Sequence, residues 1–135
     1  MSEADMKRRV LKALKPLDGQ SIQCAGRPGI PDVNCSAGWL ELKWVKKWPK
    51  NAAHSAVLLP HFTQEQRIWL ARRCARGGKA WLLLCAQGEW LLFPGRWAAE
   101  HVGNVTQEIL REAAVPIGPD RGLNEELFRL QLTRP

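Results

Sequence analysis

The chain has 135 residues, of which 45% are apolar and 24% charged, which excludes a disordered tail and favours one domain over two. The formal net charge of +7 is typical of proteins that bind a polyanion, usually nucleic acid, although it also accompanies simple solubility. Residues 1–17 carry too many charges for a signal peptide, and no apolar run approaches the roughly 20 residues that span a membrane. We therefore expect a cytoplasmic protein without a membrane partner.

The cysteines are widely separated and form no CxxC pair, which favours buried or idle thiols in a reducing compartment. A zinc site from Cys24, Cys35 and one histidine is the alternative, but it lacks the close ligand pairs of such sites. The four cysteines are Cys24, Cys35, Cys74 and Cys85.

A first helix is predicted to begin near Glu3, because Ser2 is a good N-cap and Asp5 follows it three residues later. Pro16 and Asp18-Gly19 are expected to close this helix. One apolar stripe recurs along it at three- and four-residue intervals. Its members are Met6, Val10, Leu14 and Leu17.

Three short extended segments follow, separated by glycine and proline. Residues 46–60 are predicted to form a loop with some local helix. Thr63 and Gln66 form a T-x-x-Q capping box that opens a second helix, and Gly77-Gly78 ends it. The three extended segments are residues 21–25, 30–35 and 39–45.

The apolar run 80–86 predicts a strand buried on both faces, and 89–93 is its hairpin partner across a turn at Gln87-Gly88. Residues 97–113 are moderately helical, and a short helix is predicted at 124–130. The order α-β-β-β-α-β-β-α indicates one mixed domain over residues 1–135.

A charge cluster lies inside the third extended segment. Strand side chains alternate, so Glu41 and Lys43 share one face. If the preceding strand turns near Ser36-Ala37, Asp32 lies directly opposite Glu41, with Cβ atoms roughly 5 Å apart. Two carboxylates and one ammonium then meet on one face of a small sheet.

The cluster has two interpretations. It is a partly buried salt-bridge cluster, or it is a site for a divalent cation. Paired carboxylates suit a hard ion such as Mg²⁺, and a neighbouring lysine can orient a water and stabilise charge on a phosphate.

The segment Gly29-Ile30-Pro31-Asp32 and the later Glu41-Leu42-Lys43 resemble the PD-(D/E)xK nuclease signature. The T-x-x-Q helix, the Gly-Gly pair and the apolar strand that follow are similar to the VRR-NUC group of that superfamily and, more distantly, to the Holliday-junction resolvases. The resemblance covers roughly residues 3–93 and leaves 94–135 as a C-terminal extension. It implies an α/β, restriction-endonuclease-like fold with an α-β-β-β-α-β core, in which a mixed central sheet is flanked by helices.

The resemblance also implies metal-dependent hydrolysis of DNA phosphodiesters. By position, Asp32 and Glu41 would be ligands of Mg²⁺, with Mn²⁺ as a substitute ion. The main-chain carbonyl of Leu42 would be a third ligand. Lys43 would serve the attacking water.

Two further residues match the group by placement. Glu3 corresponds to a glutamate that relatives place on the first helix, although an acid there also favours the helix N-terminus. Gln66 corresponds to a glutamine common after the ExK strand, and its role in the capping box is compatible with a place in the site. One departure concerns residues 20–27, which are shorter than the usual polar segment before the PD motif.

Basic side chains near the cluster are candidates for DNA contacts, although each is individually explained as a solvated surface charge. Trp44 and Trp48 could stack on unpaired bases, whereas four others suit the core: Trp39, Trp69, Trp81 and Trp90. His54 and His61 are expected on a loop rather than beside a leaving group. The basic candidates are Arg27, Lys46, Lys47, Lys50 and the group Arg67, Arg72, Arg73 and Arg76.

The sequence thus predicts a small structure-selective or nicking DNA endonuclease, and a homodimer is expected if it cuts a duplex, because that cut needs two sites. Its size resembles stand-alone phage-type versions, in a bacterial or phage-infected cell. Two alternatives stay open: a non-catalytic DNA- or partner-binding module that keeps the fold, and another protein in which the charged trio is only a salt-bridge cluster.

Overall fold

The computed structural model describes residues 1–23 and 26–135. Cys24 and the end of the predicted segment 21–25 lie outside the described residues. The strands are β1 (Gln20–Ser21), β2 (Val33–Cys35), β3 (Gly38–Val45), β4 (Ala80–Ala86) and β5 (Glu89–Pro94). The helices are α1 (Glu3–Ala13), α2 (Gln64–Ala75), α3 (Gly95–His101), α4 (Gln107–Ala113) and α5 (Glu125–Thr133), with short 3₁₀ turns at Lys15–Leu17 and Pro119–Arg121.

The five strands form one mixed sheet in the order β1-β2-β3-β4-β5. β3 and β4 are parallel, and every other neighbouring pair is antiparallel. The parallel pair requires a crossover, and α2 supplies it. The predicted α/β class, with an α-β-β-β-α-β core around a mixed sheet, is confirmed.

Helices cover both faces of this sheet. α1 and α5 pack on one face, where Met6 and Phe128 are fully buried. α2, α3 and α4 pack on the other, where Leu70 and Leu110 are buried. Side chains of β4 alternate between the two cores, which explains its uninterrupted apolar sequence.

The helix ends follow the predicted signals. Reciprocal capping boxes join Ser2 with Asp5 and Thr63 with Gln66. At the end of α2, the Gly78 N–H donates to the Arg73 carbonyl at 2.9 Å, which closes a Schellman motif. The β4–β5 hairpin has consecutive positive φ values, 50° at Gln87 and 82° at Gly88, as a type I′ turn requires.

Two predicted boundaries in the N-terminal half were wrong. The first helix ends at Ala13 rather than near Leu17, because Pro16 lacks the N–H that would continue it and the chain forms a 3₁₀ turn instead. The paired strand predicted for 30–35 begins only at Val33, two residues after Pro31.

Further differences lie in the loops and in the C-terminal third. Residues 46–60 form turns rather than local helix. The helix predicted for 97–113 is two helices, because Gly103 adopts a φ of +98° and Thr106 caps a new start. The predicted short helix at 124–130 runs from Glu125 to Thr133.

Three cysteines are free thiols, Cys35 and Cys85 buried and Cys74 half-buried, as expected of structural cysteines. Among the residues that the structure describes, no helix is both long and apolar enough to cross a membrane.

Candidate active site

The β2–β3 hairpin brings Asp32 to Glu41. Val33 pairs with Leu40, and Cys35 pairs with Gly38 across a turn at residues 36–37. Continued by one residue, this register sets Asp32 opposite Glu41, as predicted, although Asp32 itself precedes the strand. Its Oδ2 accepts a hydrogen bond from the Leu42 main-chain N–H at 2.8 Å, which ties the carboxylate to β3.

Glu41 is a buried acid with an incomplete set of partners. It is 2% exposed, the one polar or charged residue buried in the described chain. Its Oε2 lies 3.1 Å from the Lys43 ammonium, whereas Oε1 has no hydrogen-bond partner. Burial, and then repulsion by the Asp32 carboxylate, raise the pKa of Glu41 to about 8 against the opposing attraction of Lys43. An additional positive charge or a proton at Glu41 would therefore stabilise the site.

Lys43 is held from a second side by the chain that leads into α2. Its Nζ donates to the His61 carbonyl at 3.0 Å and lies 5.8 Å from the centre of the Phe62 ring. The guanidinium of Arg67 lies 4.2 Å from the same ring. The His61 backbone and the Phe62 ring are therefore site elements that the sequence does not reveal, because they reach Lys43 only through the β3–α2 crossover.

Gly29 allows the Pro31-Asp32 segment to approach α2. Its φ is +91°, and a Cβ there would stand 2.6 Å from the Glu65 carbonyl oxygen. Any larger residue would therefore be strained and would also collide with backbone. The glycine of the Gly-Ile-Pro-Asp motif thus has a physical role in bringing Asp32 to the site.

Glu3 lies near the pair without joining it. It is exposed on the first turn of α1 and lines a cavity of about 480 Å³ together with Asp32, Leu42 and Trp44. Within residues 1–23 and 26–135, no group of three or more His, Cys, Asp or Glu side chains is placed to hold a metal ion. The structure thus unites two carboxylates and leaves Glu3 at the rim.

Gln66 is half-buried, and the structure places its side chain in the capping box. Its Oε1 accepts from the Thr63 N–H at 2.9 Å. No hydrogen bond joins Gln66 to Asp32, Glu41 or Lys43 in the described chain. Its capping interpretation is confirmed, and its role in the site stays a prediction.

The predicted DNA-contact residues are exposed, except for half-buried Arg67. Trp48 is half-buried and its Nε1 donates to Glu89 at 3.1 Å. Half-buried Trp44 borders the cavity beside Asp32. Stacking of either ring on a base stays a prediction. Trp39 and Trp69 are packed on the core yet only half-buried. The exposed basic residues are Arg27, Lys46, Lys47, Lys50, Arg72, Arg73 and Arg76.

The donor set fits a hard divalent cation. Asp32 and Glu41 supply carboxylate oxygens, and Glu41 Oε1 has no other partner. The Leu42 main-chain N–H donates to Asp32, and the Leu42 carbonyl as a third ligand stays a prediction.

Comparisons with known proteins support the fold. No family model and no curated protein matches the chain. Among solved structures, the chain is similar to Hjc of Archaeoglobus fulgidus, a Holliday junction resolvase from an archaeal hyperthermophile. The TM-score is 0.54 at 20% sequence identity, and the match covers 82% of this chain and 93% of that one. The mixed sheet with flanking helices is thus the fold of that resolvase, whereas the resemblance to the VRR-NUC group stays a prediction.

Proposed function

We propose that the protein is a metal-dependent DNA endonuclease that is structure-selective or nicking. The observation that carries the proposal is the pair of Asp32 and buried Glu41, whose free oxygen faces no partner while Lys43 stands beside it. A purely structural ion pair between Glu41 and Lys43 would be weakened by a second carboxylate, Asp32, because Asp32 raises the pKa of Glu41. The fold shared with a Holliday junction resolvase supports the same proposal.

Asp32, Glu41 and the Leu42 carbonyl would hold the cation, which we propose to be Mg²⁺, with Mn²⁺ as a substitute. When bound, such an ion supplies positive charge that activates a water and neutralises a phosphodiester. It would also lower the pKa of Glu41, so that both carboxylates are ionised at neutral pH.

The remaining chemistry belongs to the chain's own groups. The Lys43 ammonium is fixed by Glu41 and the His61 carbonyl, so it can orient an attacking water and stabilise negative charge on the phosphate without rearranging first. Glu3 and Gln66 would support the site from its rim. Exposed basic residues would hold the DNA backbone. Two copies would be needed for a duplex cut, and we propose a homodimer.

The test is cleavage of flapped, four-way, nicked and linear DNA with Mg²⁺, with Mn²⁺ and with EDTA. We expect metal-dependent cleavage by the wild type and a loss of at least about 100-fold in Lys43→Ala, the scale of a positioned catalytic group. DNA binding should persist in that variant. Lys12→Ala, an exposed lysine of α1, is the control and should cleave normally. Sedimentation of the same samples tests the homodimer.

A non-catalytic binding module is the second candidate. One observation favours it: the described residues offer no third acid to the Asp32–Glu41 pair. Binding to every DNA form with no cleavage under any metal would establish this alternative and refute the nuclease.

A further inference from the structure

A basic cleft lies at the C-terminal end of α2, at the opposite end of that helix from Lys43. Its volume is about 560 Å³, and Trp69, Arg72, Arg73, Arg76 and Gly78 line it. We call it the arginine cleft. It contains none of the residues assigned to the Asp32–Glu41 site, although its three arginines belong to the basic group predicted to meet phosphates.

The guanidinium of Arg73 is held against aromatic rings. It lies 4.5 Å from the ring centre of Trp69 and 5.6 Å from that of Trp39. The two indoles pack edge to face, with centres 5.3 Å apart. A Cβ at Gly78 would stand 2.4 Å from the Arg73 Cδ, so this glycine leaves the room in which the arginine stem lies. The cation and the rings therefore form one preorganised surface.

The charges of the cleft are not compensated. Arg72, Arg73 and Arg76 are exposed, and none of them takes part in an ion pair within residues 1–23 and 26–135. Three guanidinium groups without acids repel one another, and that arrangement suits a ligand with several anionic oxygens. A half-buried indole in the same cleft adds a surface for a flat ring.

We propose that the arginine cleft binds a single-stranded segment of the DNA substrate, with phosphates on Arg72 and Arg76 and an unpaired base against the Trp69–Arg73 surface. The inference rests on the proposed nuclease function, which it deepens. A base in a duplex has both faces covered by its neighbours, so only an unpaired base can reach a ring inside a cleft. An acidic peptide would satisfy the arginines but would leave the indole without a function.

The position of the cleft relative to the candidate active site fits one continuous strand. Thr63 caps α2 directly after the backbone that fixes Lys43, and Arg73 follows ten residues later. At 1.5 Å per residue the two ends are about 15 Å apart. An unpaired strand can extend beyond the 3.4 Å rise per nucleotide of B-DNA, so about four nucleotides or fewer span that distance.

The experiment measures binding without cleavage. Fluorescence anisotropy in EDTA, over a range of salt, compares a labelled fifteen-nucleotide oligo-dT, an abasic strand with the same phosphates, a duplex and poly-glutamate. We expect Arg72→Gln/Arg76→Gln to lower oligo-dT affinity at least about tenfold and to reduce the salt slope by about 1.4, at about 0.7 per phosphate contact. We expect Trp69→Leu to lower oligo-dT affinity about tenfold and abasic-strand affinity less than about twofold.

Lys12→Gln/Lys15→Gln removes the same charge from exposed sites outside the cleft and is the matched control. The inference is overturned if this control loses as much affinity as the cleft variant, if Trp69→Leu binds oligo-dT like the wild type, or if poly-glutamate binds as tightly as oligo-dT. If Trp69→Leu does not fold, Arg72→Gln/Arg76→Gln still tests the inference, because both arginines are exposed and their replacement should not unfold the protein. No step of this experiment requires catalysis. If the arginine cleft binds single-stranded DNA but the protein cleaves no DNA in the metal assay, the nuclease proposal is refuted and the cleft proposal stands.

Discussion

At the scale of single residues, Glu41 decides how the site responds to pH. A raised pKa in the folded state means that folding favours the protonated acid. The stability from this group is therefore fully present below the ordinary pKa of 4.5 and is lost as the pH rises through the folded value of about 8. Over that window the loss is on the order of a few kcal/mol.

We expect Glu41→Gln to remove this pH dependence. In EDTA, urea unfolding of the wild type should show a falling free energy of unfolding between pH 5 and pH 8.5, whereas the variant should stay nearly flat and be more stable at pH 8.5. Glu112→Gln, an exposed acid of α4, should behave like the wild type. A parallel pH profile of wild type and Glu41→Gln would contradict the burial argument.

The same residue predicts a metal effect that needs no cleavage assay. A cation that binds only the folded protein stabilises it in proportion to the logarithm of its concentration. At pH 7.5, Mg²⁺ or Mn²⁺ should therefore raise the melting temperature of the wild type, and should raise that of Glu41→Gln much less. Equal shifts in both proteins would mean that the ions bind elsewhere.

At the scale of the elements, Gly29 joins the Asp32 segment to α2. Gly29→Ala would add strain at a φ of +91° and a Cβ 2.6 Å from the Glu65 carbonyl oxygen. Gly77→Ala is the matched control, since its φ is +83° but its Cβ would meet nothing within 4 Å. We expect Gly77→Ala to cost about 1 kcal/mol and Gly29→Ala clearly more, measured by urea unfolding. Equal costs would show that the contact with Glu65 is unimportant.

The α2 capping box gives a second test at this scale. Thr63→Ala should lower the free energy of unfolding by about 1 kcal/mol, and Thr63→Ala/Gln66→Ala should cost less than the sum of the single changes because the side chains share one motif. Gln64→Ala, exposed in the same turn, should be near neutral. The proposed site role of Gln66 further requires that Gln66→Ala lower cleavage more than Thr63→Ala does, at a temperature where both are folded.

Local chemistry made much of this architecture predictable. The two capping boxes, the Gln87-Gly88 turn and the doubly buried strand each depend on residues close in sequence, so their patterns can be read directly. The opposition of Asp32 and Glu41 also follows from a short hairpin and the two-residue alternation of a strand.

Other parts of the site depend on where α2 crosses the sheet. The His61 carbonyl meets Lys43, and Arg73 meets Trp39, only because the crossover lays α2 beside β3. No local pattern encodes such contacts. Gly103 weakened the helical pattern of residues 97–113 but did not establish a break, because an isolated glycine inside a helical pattern is often tolerated.

At the scale of the whole molecule, the C-terminal third of the chain packs into the same core as the N-terminal helix α1. Phe128 and Leu132 of α5 are fully buried beside Met6 and Val10 of α1. We propose that residues 1–135 unfold as one unit, so that Phe128→Ala lowers the free energy of unfolding by about 3–5 kcal/mol in one transition. Leu130→Ala, 52% exposed on the same helix, is the control. Two separate transitions would contradict a single domain.

The α2 crossover has a consequence for how the molecule measures its substrate. One end of this helix abuts the group that fixes Lys43, and the other end carries the arginine cleft. Under the two proposals, the number of residues in α2 therefore sets the distance between the cleavage site and the place where the single strand is bound. Inserting four residues into α2 would move the cleft about 6 Å along the axis and rotate it by about 40°. The cut should then fall farther from the single-stranded junction by up to about two nucleotides, which gel mapping of the product ends would show.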